Sequence, residues 1–476
     1  MSTAPRRGWT LALTSVALFM VALDTLVVAT ALPVLRVDLG ATLEELEWTV
    51  NAYNLGFAVL LLTGAALGDR FGRRRMFALG IGVFTAASAA AALSPDAGAL
   101  IAARAVQGIG ASLVMPLTLT LLSEAFPAER RGMALGVWSG IAGLAVASGP
   151  LVGGAVIEGI SWQWIFWLNV PIGLVAIPLA LGRLRESFGP RAPLDLRGLA
   201  LASAGLFAVV WALVRGESAG WASGEILGLF AAGAFLTVAF VHWELRAPAP
   251  MLPMRFFSNR TFAAANAASF LMYGSLFGAV FLMTQYLQTL LGHSPLEAGL
   301  RLLPWTGAPL LVSPLAGVLS DRLGQRPFMA AGLALQGVGF GWIALAASST
   351  RDYGGLLAPL LVAGVGISMV FPTVANAVLG AVRPHEVGPA SGTNSALREL
   401  GGVFGVAVFA ALFARRGGFS SAETFTDGFS AALWLGAGLS AAGALVALAV
   451  GRPQARAEGL ATTRPARASC PSRAPA

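Results

Sequence analysis

Apolar runs long enough to cross a bilayer as helices follow one another along almost the whole chain, and no other feature limits its fold so much. A helical span takes about 20 predominantly apolar residues. Charge or Pro/Gly punctuation divides the sequence into fourteen such runs, at about 9–35, 46–68, 76–94, 99–123, 133–157, 163–182, 196–214, 225–243, 262–291, 300–319, 328–348, 355–379, 394–413 and 430–450. Hydrophobic residues fill 56% of the 476 positions and charged residues only 11%, against roughly 45–50% and about 25% in a soluble domain. So few charges cannot cover a cytosolic enzyme, and so apolar a chain is not a disordered regulator. Transmembrane β-barrels alternate apolar and polar residues in segments of about ten, a pattern these unbroken runs lack. What remains is an all-α polytopic membrane protein with fourteen transmembrane helices.

The charges orient it. All 31 basic residues are arginine, against 23 acidic ones, for a formal net charge of +8. With a cytoplasmic N-terminus, 24 arginines fall on the cytoplasmic side (Arg398 counted among them), 6 fall outside, and Arg104 lies inside the fourth run. That split satisfies the positive-inside rule and places both termini in the cytoplasm of a cell-membrane protein. Arg6, Arg7 and Ala29-Thr30-Ala31 resemble a signal peptide, but the apolar run from Leu11 exceeds the roughly 7–15 residues of a signal core. Trp48, Trp162, Trp164, Trp221 and Trp305 are placed near the outer boundary, as an aromatic belt. The arginines sit in short loops, so nucleic acid is not a partner. Cys470 is the single cysteine, which rules out an intrachain disulfide and CxxC metal sites.

An internal repeat divides the chain. Asp69-Arg70-Phe71-Gly72-Arg73-Arg74 follows the second run, and Asp321-Arg322-Leu323-Gly324-Gln325-Arg326 follows the tenth. Six helices (1–190), a two-helix insert (191–250) and six more helices (251–451) are therefore expected, then a disordered cytoplasmic tail (452–476) beside lipid. Parallel repeats place a substrate site at their interface, near the midplane.

Two ionisable residues lie deep in the runs. Counting from Leu11, Asp24 sits about 20 Å into a core of about 30 Å. The other acidic residues fall in loops or within about two turns of the expected helix ends. An ionised carboxylate at that depth costs at least about 2.5–3.5 kcal/mol, which ties its charge to its surroundings. Arg104, the one arginine expected inside a helix core, reaches about 24 Å from the cytoplasmic side. The two can thus meet at similar height in at least one state, either as a proton-coupling pair or as a static ion pair. Asn51, Asn54, Asn266, Tyr273, Gln285, Gln288 and Asn376 are polar groups in apolar helices, and with Phe371 they are the candidate cavity lining; such groups also bond helix to helix. His242, His293 and His385 lack metalloenzyme spacing and no Walker A sequence occurs, so the reading is a non-enzyme with no cofactor and no metal.

Several segments, in order, resemble the major facilitator superfamily and its 14-helix drug:proton antiporter (EmrB/QacA type) family. They are Leu23-Asp24-Thr25 through Pro33, the Asp69–Arg74 loop, Arg104-Ala105-Val106-Gln107-Gly108-Ile109-Gly110 and Gly149-Pro150-Leu151-Val152-Gly153-Gly154. Trp162 through Gly173 and Tyr286-Leu287-Gln288 with Ser294-Pro295-Leu296 complete the set. At the Trp162–Gly173 junction the second position is usually Arg, and here it is Gln163. The resemblance implies a fold of two rocking six-helix halves. It implies that Gly64, Asp69, Arg70, Gly72 and Arg73, with Asp321, Arg322 and Gly324, form a latch between halves. It also implies that Gly143, Gly149, Pro150, Gly153 and Gly154 mark an antiporter helix that seals the outer half.

The function so implied is proton-coupled export of hydrophobic neutral or cationic small molecules such as antibiotics, by a monomer driven by the proton gradient. Asp24 and Arg104 would couple the proton. The alternatives are a metabolite importer and a non-transporting membrane sensor or assembly subunit.

Overall fold

The computed structural model describes residues 4–451 apart from Thr42, 190–194, Ala249, Met251, 350–352 and Phe419, so the expected tail lies outside the described residues. The apolar runs form helices in the expected order: α1 Ala4–Asp38, α2 Leu43–Phe71, α3 Arg73–Ala92, α4 Ala97–Ala125, α5 Ala128–Gly159, α6 Asn169–Arg183, α7 Leu196–Ala219 and α8 Gly224–Glu244. Then come α9 Arg260–Gln285, α10 Pro295–Thr306, α11 Ala308–Leu323, α12 Gln325–Ser349, α13 Gly354–Gly380, α14 Val387–Arg416 and α15 Ala422–Ala447. Among the described residues 13 helices are long and apolar enough to cross a membrane, α10 and α11 counting as one span broken at Gly307. The 32-residue α5 is a further long helix.

Local chemistry sets the boundaries. Asp96 accepts from the Ala99 N–H at the start of α4. Ser294 and Glu297 form a capping box on α10, with Pro295 in its first turn. Gly72 alone separates α2 from α3 and Gly324 alone separates α11 from α12, at φ 104° and 89°. Only glycine adopts such angles without strain. The repeated Asp-Arg motifs are thus helix ends joined by a single residue.

Helix α14 departs from expectation. It begins at Val387, not near 394. Pro389 does not break it, because a first-turn residue needs no intrahelical N–H bond. The earlier start carries Arg398 about 17 Å along the helix. Arg398 is therefore a second arginine inside a helix core, and Glu399 beside it is a second interior acid. The aromatic belt is also corrected: Trp162 and Trp305 are fully buried core residues, and Trp48 packs against Trp211 with ring centroids 4.8 Å apart. Trp164 alone among the belt residues named is strongly exposed.

Helices α1–α6 pack on one another through α2–α4, α3–α4, α3–α6 and α1–α5. Helices α9–α15 do so through α12–α13, α12–α15, α9–α14 and α11–α13. The two groups meet where α5 lies on α10, α11 and α13, and where α14 lies on α2 and α4. Helix α7 pairs with α8 and packs against both α2 and α14. Apolar side chains such as Phe235, Val238, Leu311, Leu315 and Leu445 are left exposed on the outside, as lipid-facing chains are.

Candidate functional site

Asp24 of α1 lies at the centre of a fully buried polar network, to which α2, α3, α4 and α6 also contribute. Its Oδ2 accepts from Arg104 Nη1 at 2.5 Å. Its Oδ1 accepts from Gln107 Nε2 at 2.8 Å and Asn169 Nδ2 at 2.9 Å. Arg104 also donates to Gln107 Oε1 at 2.7 Å and, through Nε, to the Thr49 carbonyl at 3.2 Å. Its Cζ sits 4.2 Å from the Tyr53 ring centroid. Ser88 accepts from Asn169 at 3.0 Å and donates to the Phe166 carbonyl at 2.9 Å. Arg104, Gln107 and Ser88 are 0% exposed and Asp24 3%. A carboxylate survives such burial only with a cation and donors around it. The structure therefore brings Asp24 and Arg104 together. The sequence reading did not assign Gln107, Asn169 or Ser88 to this site. Its only signal was that Gln107 follows Arg104 by three residues and so shares its helix face.

The two loop motifs cross between the helix groups. Asp321 accepts from the backbone of Gly132 and Met133 on α5 at 3.1 and 3.2 Å, and from Asn376 at 3.1 Å. Asp69 pairs with Arg73 at 2.7 Å, and Arg73 also pairs with Glu124. The Asp69 carboxylate fills the space beside Gly388 in the first turn of α14, where an added Cβ would fall 2.1 Å from Oδ2. Each motif acid thus lies at the start of a helix of the opposite group, where helix N-termini favour negative charge. Arg70 and Arg322 are exposed. Gly64 packs closely against α4: a Cβ there would fall 2.2 Å from the Ser112 carbonyl.

The glycines of α5 lie against α10 and α11. A Cβ on Gly143 would fall 2.5 Å from Pro309, and one on Gly136 would fall 2.6 Å from the Ser313 carbonyl. Gly154 faces Leu296 on α10 at an ordinary 3.7 Å. Helix α5 runs unbroken through Gly149, Pro150 and Gly153, and the side chain of Pro150 lies outside the described residues.

The candidate cavity residues do not form one lining. Asn376 belongs to the Asp321 latch. Asn266 bonds the Phe262 carbonyl and accepts from Asn394, so it ties α9 to α14. Asn51, Asn54, Gln285 and Gln288 are partly exposed. Tyr273 and Phe371 do meet, edge to face at 5.7 Å, and Arg398 Cζ lies 4.5 Å from the Tyr273 ring.

The model of the Major Facilitator Superfamily matches residues 14–245 and 265–474. The chain belongs to that superfamily. This facilitator is 35% identical over 416 residues to the tetracenomycin C resistance and export protein of Streptomyces glaucescens, covering 87% of this chain and 77% of that one. It is 36% identical over 405 residues to the cephamycin export protein of Amycolatopsis lactamdurans, covering 84% and 83%. Among solved structures it resembles the proton:xylose symporter XylE, with a TM-score of 0.67, 16% identity and coverage of 93% and 95%. That likeness shows the facilitator fold, and the facilitator is a multi-pass membrane protein rather than an enzyme.

Proposed function

We propose that this facilitator exports antibiotic or other drug-like small molecules across the cell membrane in exchange for protons. It would be a monomer of the 14-helix EmrB/QacA type, with both termini cytoplasmic. Six helices, a two-helix insert and six more helices would form the halves that rock about the α5–α11 and α2–α14 contacts. The two acid latches then close the cytoplasmic end, which corresponds to a carrier facing outward. No cofactor is required, since the proton gradient supplies the energy.

The observation that carries the coupling is the Asp24–Arg104 network, which buries a titratable group inside the α1–α6 helices. Several relatives bear export or resistance in their names, including a methylenomycin A resistance protein of Streptomyces coelicolor at 34% identity. Their substrates supply the class proposed here. Proton and substrate would compete for the network: substrate entering from the cytoplasm favours the ionised acid, and protonation from outside resets it. The test is a drug-susceptibility panel in an efflux-deficient host, beside Asp24→Asn, with proton release followed on the purified protein. Resistance and substrate-linked proton release should appear in wild type and vanish in Asp24→Asn. Equal proton release by both removes Asp24 from the mechanism.

A further inference from the structure

Between the two helix groups, away from Asp24, lies a second buried cation that the export reading leaves without a task. Arg398 on α14 is 8% exposed, and its Nε has no hydrogen-bond partner among the described residues. Its guanidinium lies over two aromatic rings, Tyr273 of α9 at 4.5 Å and Trp138 of α5 at 5.8 Å, and hydrogen-bonds the Tyr273 side chain as well. Trp138 is 3% exposed, and its indole Nε1 is likewise buried without an acceptor. Two touching side chains, one from each helix group, therefore each carry an orphan donor. An orphaned buried donor is costly, and neither Arg nor Trp can accept a hydrogen bond to relieve the other.

The neighbouring Glu399 is partly exposed and has no hydrogen-bond partner among the described residues. It bears electrostatically on both Tyr53 and Tyr273, which places it at the same interface. Arginine keeps its charge at any depth, whereas a carboxyl can take up a proton. Arg398 therefore brings a permanent positive charge, beside an acid that interacts with it electrostatically. Tyr273 continues into an aromatic cluster, stacked on Phe277 at 5.7 Å and edge-on to Phe371 at 5.7 Å. Phe277 and Phe371 are both partly exposed.

We propose that Arg398, Trp138 and the Tyr273 cluster form a substrate-recognition site for an acidic oxygen, carboxylate or phenolate, carried on a flat aromatic body. The oxygen takes the two orphan donors and the ring joins the aromatic cluster. This deepens the export reading, and rests on it for the direction of transport. It replaces the neutral or cationic substrate class expected from the sequence. Because Arg398 and Trp138 come from opposite helix groups, an anion between them also exchanges their direct contact for one made through the substrate.

The test uses purified full-length protein and three probes sharing one ring system: anthracene carboxylate, its methyl ester and aminomethylanthracene. Binding is read from anthracene fluorescence. Wild type should prefer the carboxylate over the ester by about ten- to a hundredfold, the range for one or two charge-assisted hydrogen bonds. Arg398→Gln should abolish the preference. Arg398→Lys should keep its direction. Trp138→Phe, which retains the ring and loses the donor, should weaken the carboxylate a few fold and leave the ester unchanged. Aminomethylanthracene binding as well as the carboxylate in wild type overturns the proposal, as does a preference that survives Arg398→Gln. If Arg398→Gln does not fold, the Trp138→Phe result decides in the same way. A carboxylate preference in a protein that confers no resistance on any drug panel leaves this site standing and removes the export reading. Resistance without the preference does the reverse.

Discussion

Asp321 accepts hydrogen bonds from the backbone N–H groups of Gly132 at 3.1 Å and Met133 at 3.2 Å, across a sequence separation of 189 residues to the first. Asp69 occupies the matching place against Gly388. Each repeated loop thus holds the start of a helix in the other group, and the pair closes one end of the bundle.

Breaking this latch should shift the carrier toward the opposite opening. Asp321→Ala leaves two backbone donors and Asn376 without their acceptor, each worth about 1–3 kcal/mol when hydrogen-bonded to a charge. Spin labels at the exposed positions Arg130 and Arg322 report the gap. The distance distribution should move outward in the variant, and the thermal midpoint should fall with the loss of these bonds. An unchanged distribution means the loop does not restrain the halves.

The Asp24 network makes a different prediction, about stability. Arg104→Gln leaves a buried carboxylate without its cation and should cost about 3–5 kcal/mol. Asp24→Asn should cost at least as much, because Arg104 cannot shed its charge and is left buried without its anion. The double variant should recover part of the Arg104→Gln loss. Thermal unfolding of the four proteins gives the coupling directly, and strictly additive effects would argue against a shared network.

Much of this site was legible before the structure, and the reasons are specific. Depth along a helix is a one-dimensional quantity, so counting from Leu11 and from the start of α4 put Asp24 and Arg104 at matching heights. Asn169 and Ser88 were not legible, because their convergence depends on how α3 and α6 rotate against α1. Glu399 and Arg398 were hidden by a boundary. The run was started at about 394, seven residues after the helix begins, which left both residues near its cytoplasmic end. Trp162 and Trp305 failed as belt residues because sequence position gives depth along the bilayer normal but not distance from the bundle axis.

Contacts between the groups and within them should fail differently. A Cβ on Gly317 would fall 2.1 Å from the Gly132 carbonyl, between α11 and α5. Gly317→Leu should therefore leave a folded protein with export reduced at least about tenfold, since a gap at this joint removes about 1.4 kcal/mol or more from the closed state. A Cβ on Gly405 would fall 2.0 Å from the Gly274 carbonyl, between α14 and α9 of the same group. Gly405→Leu should instead lower the yield of folded protein. Export per molecule in reconstituted vesicles, set beside yield, separates the two outcomes.

Two of the positive-φ glycines at helix junctions, Gly220 and Gly72, separate backbone strain from crowding. Gly220, between α7 and α8, has φ 85° and nothing within 4 Å of an added Cβ. Gly220→Ala meets only the conformational penalty, about 1–2 kcal/mol. Gly72 has φ 104°, and its added Cβ would fall 2.8 Å from the Glu186 carboxylate. That carboxylate accepts from the Arg74 N–H at 2.9 Å and pairs with Arg74 and Arg75 at 3.5 and 3.4 Å. Gly72→Ala adds the displacement of this cluster to the same strain and loosens the start of α3. Its thermal midpoint should fall further than that of Gly220→Ala, and only Gly72→Ala should also reduce export. Equal losses in both variants would mean that glycine is needed at the loop for its backbone alone, and that the Glu186 cluster takes no part in the latch.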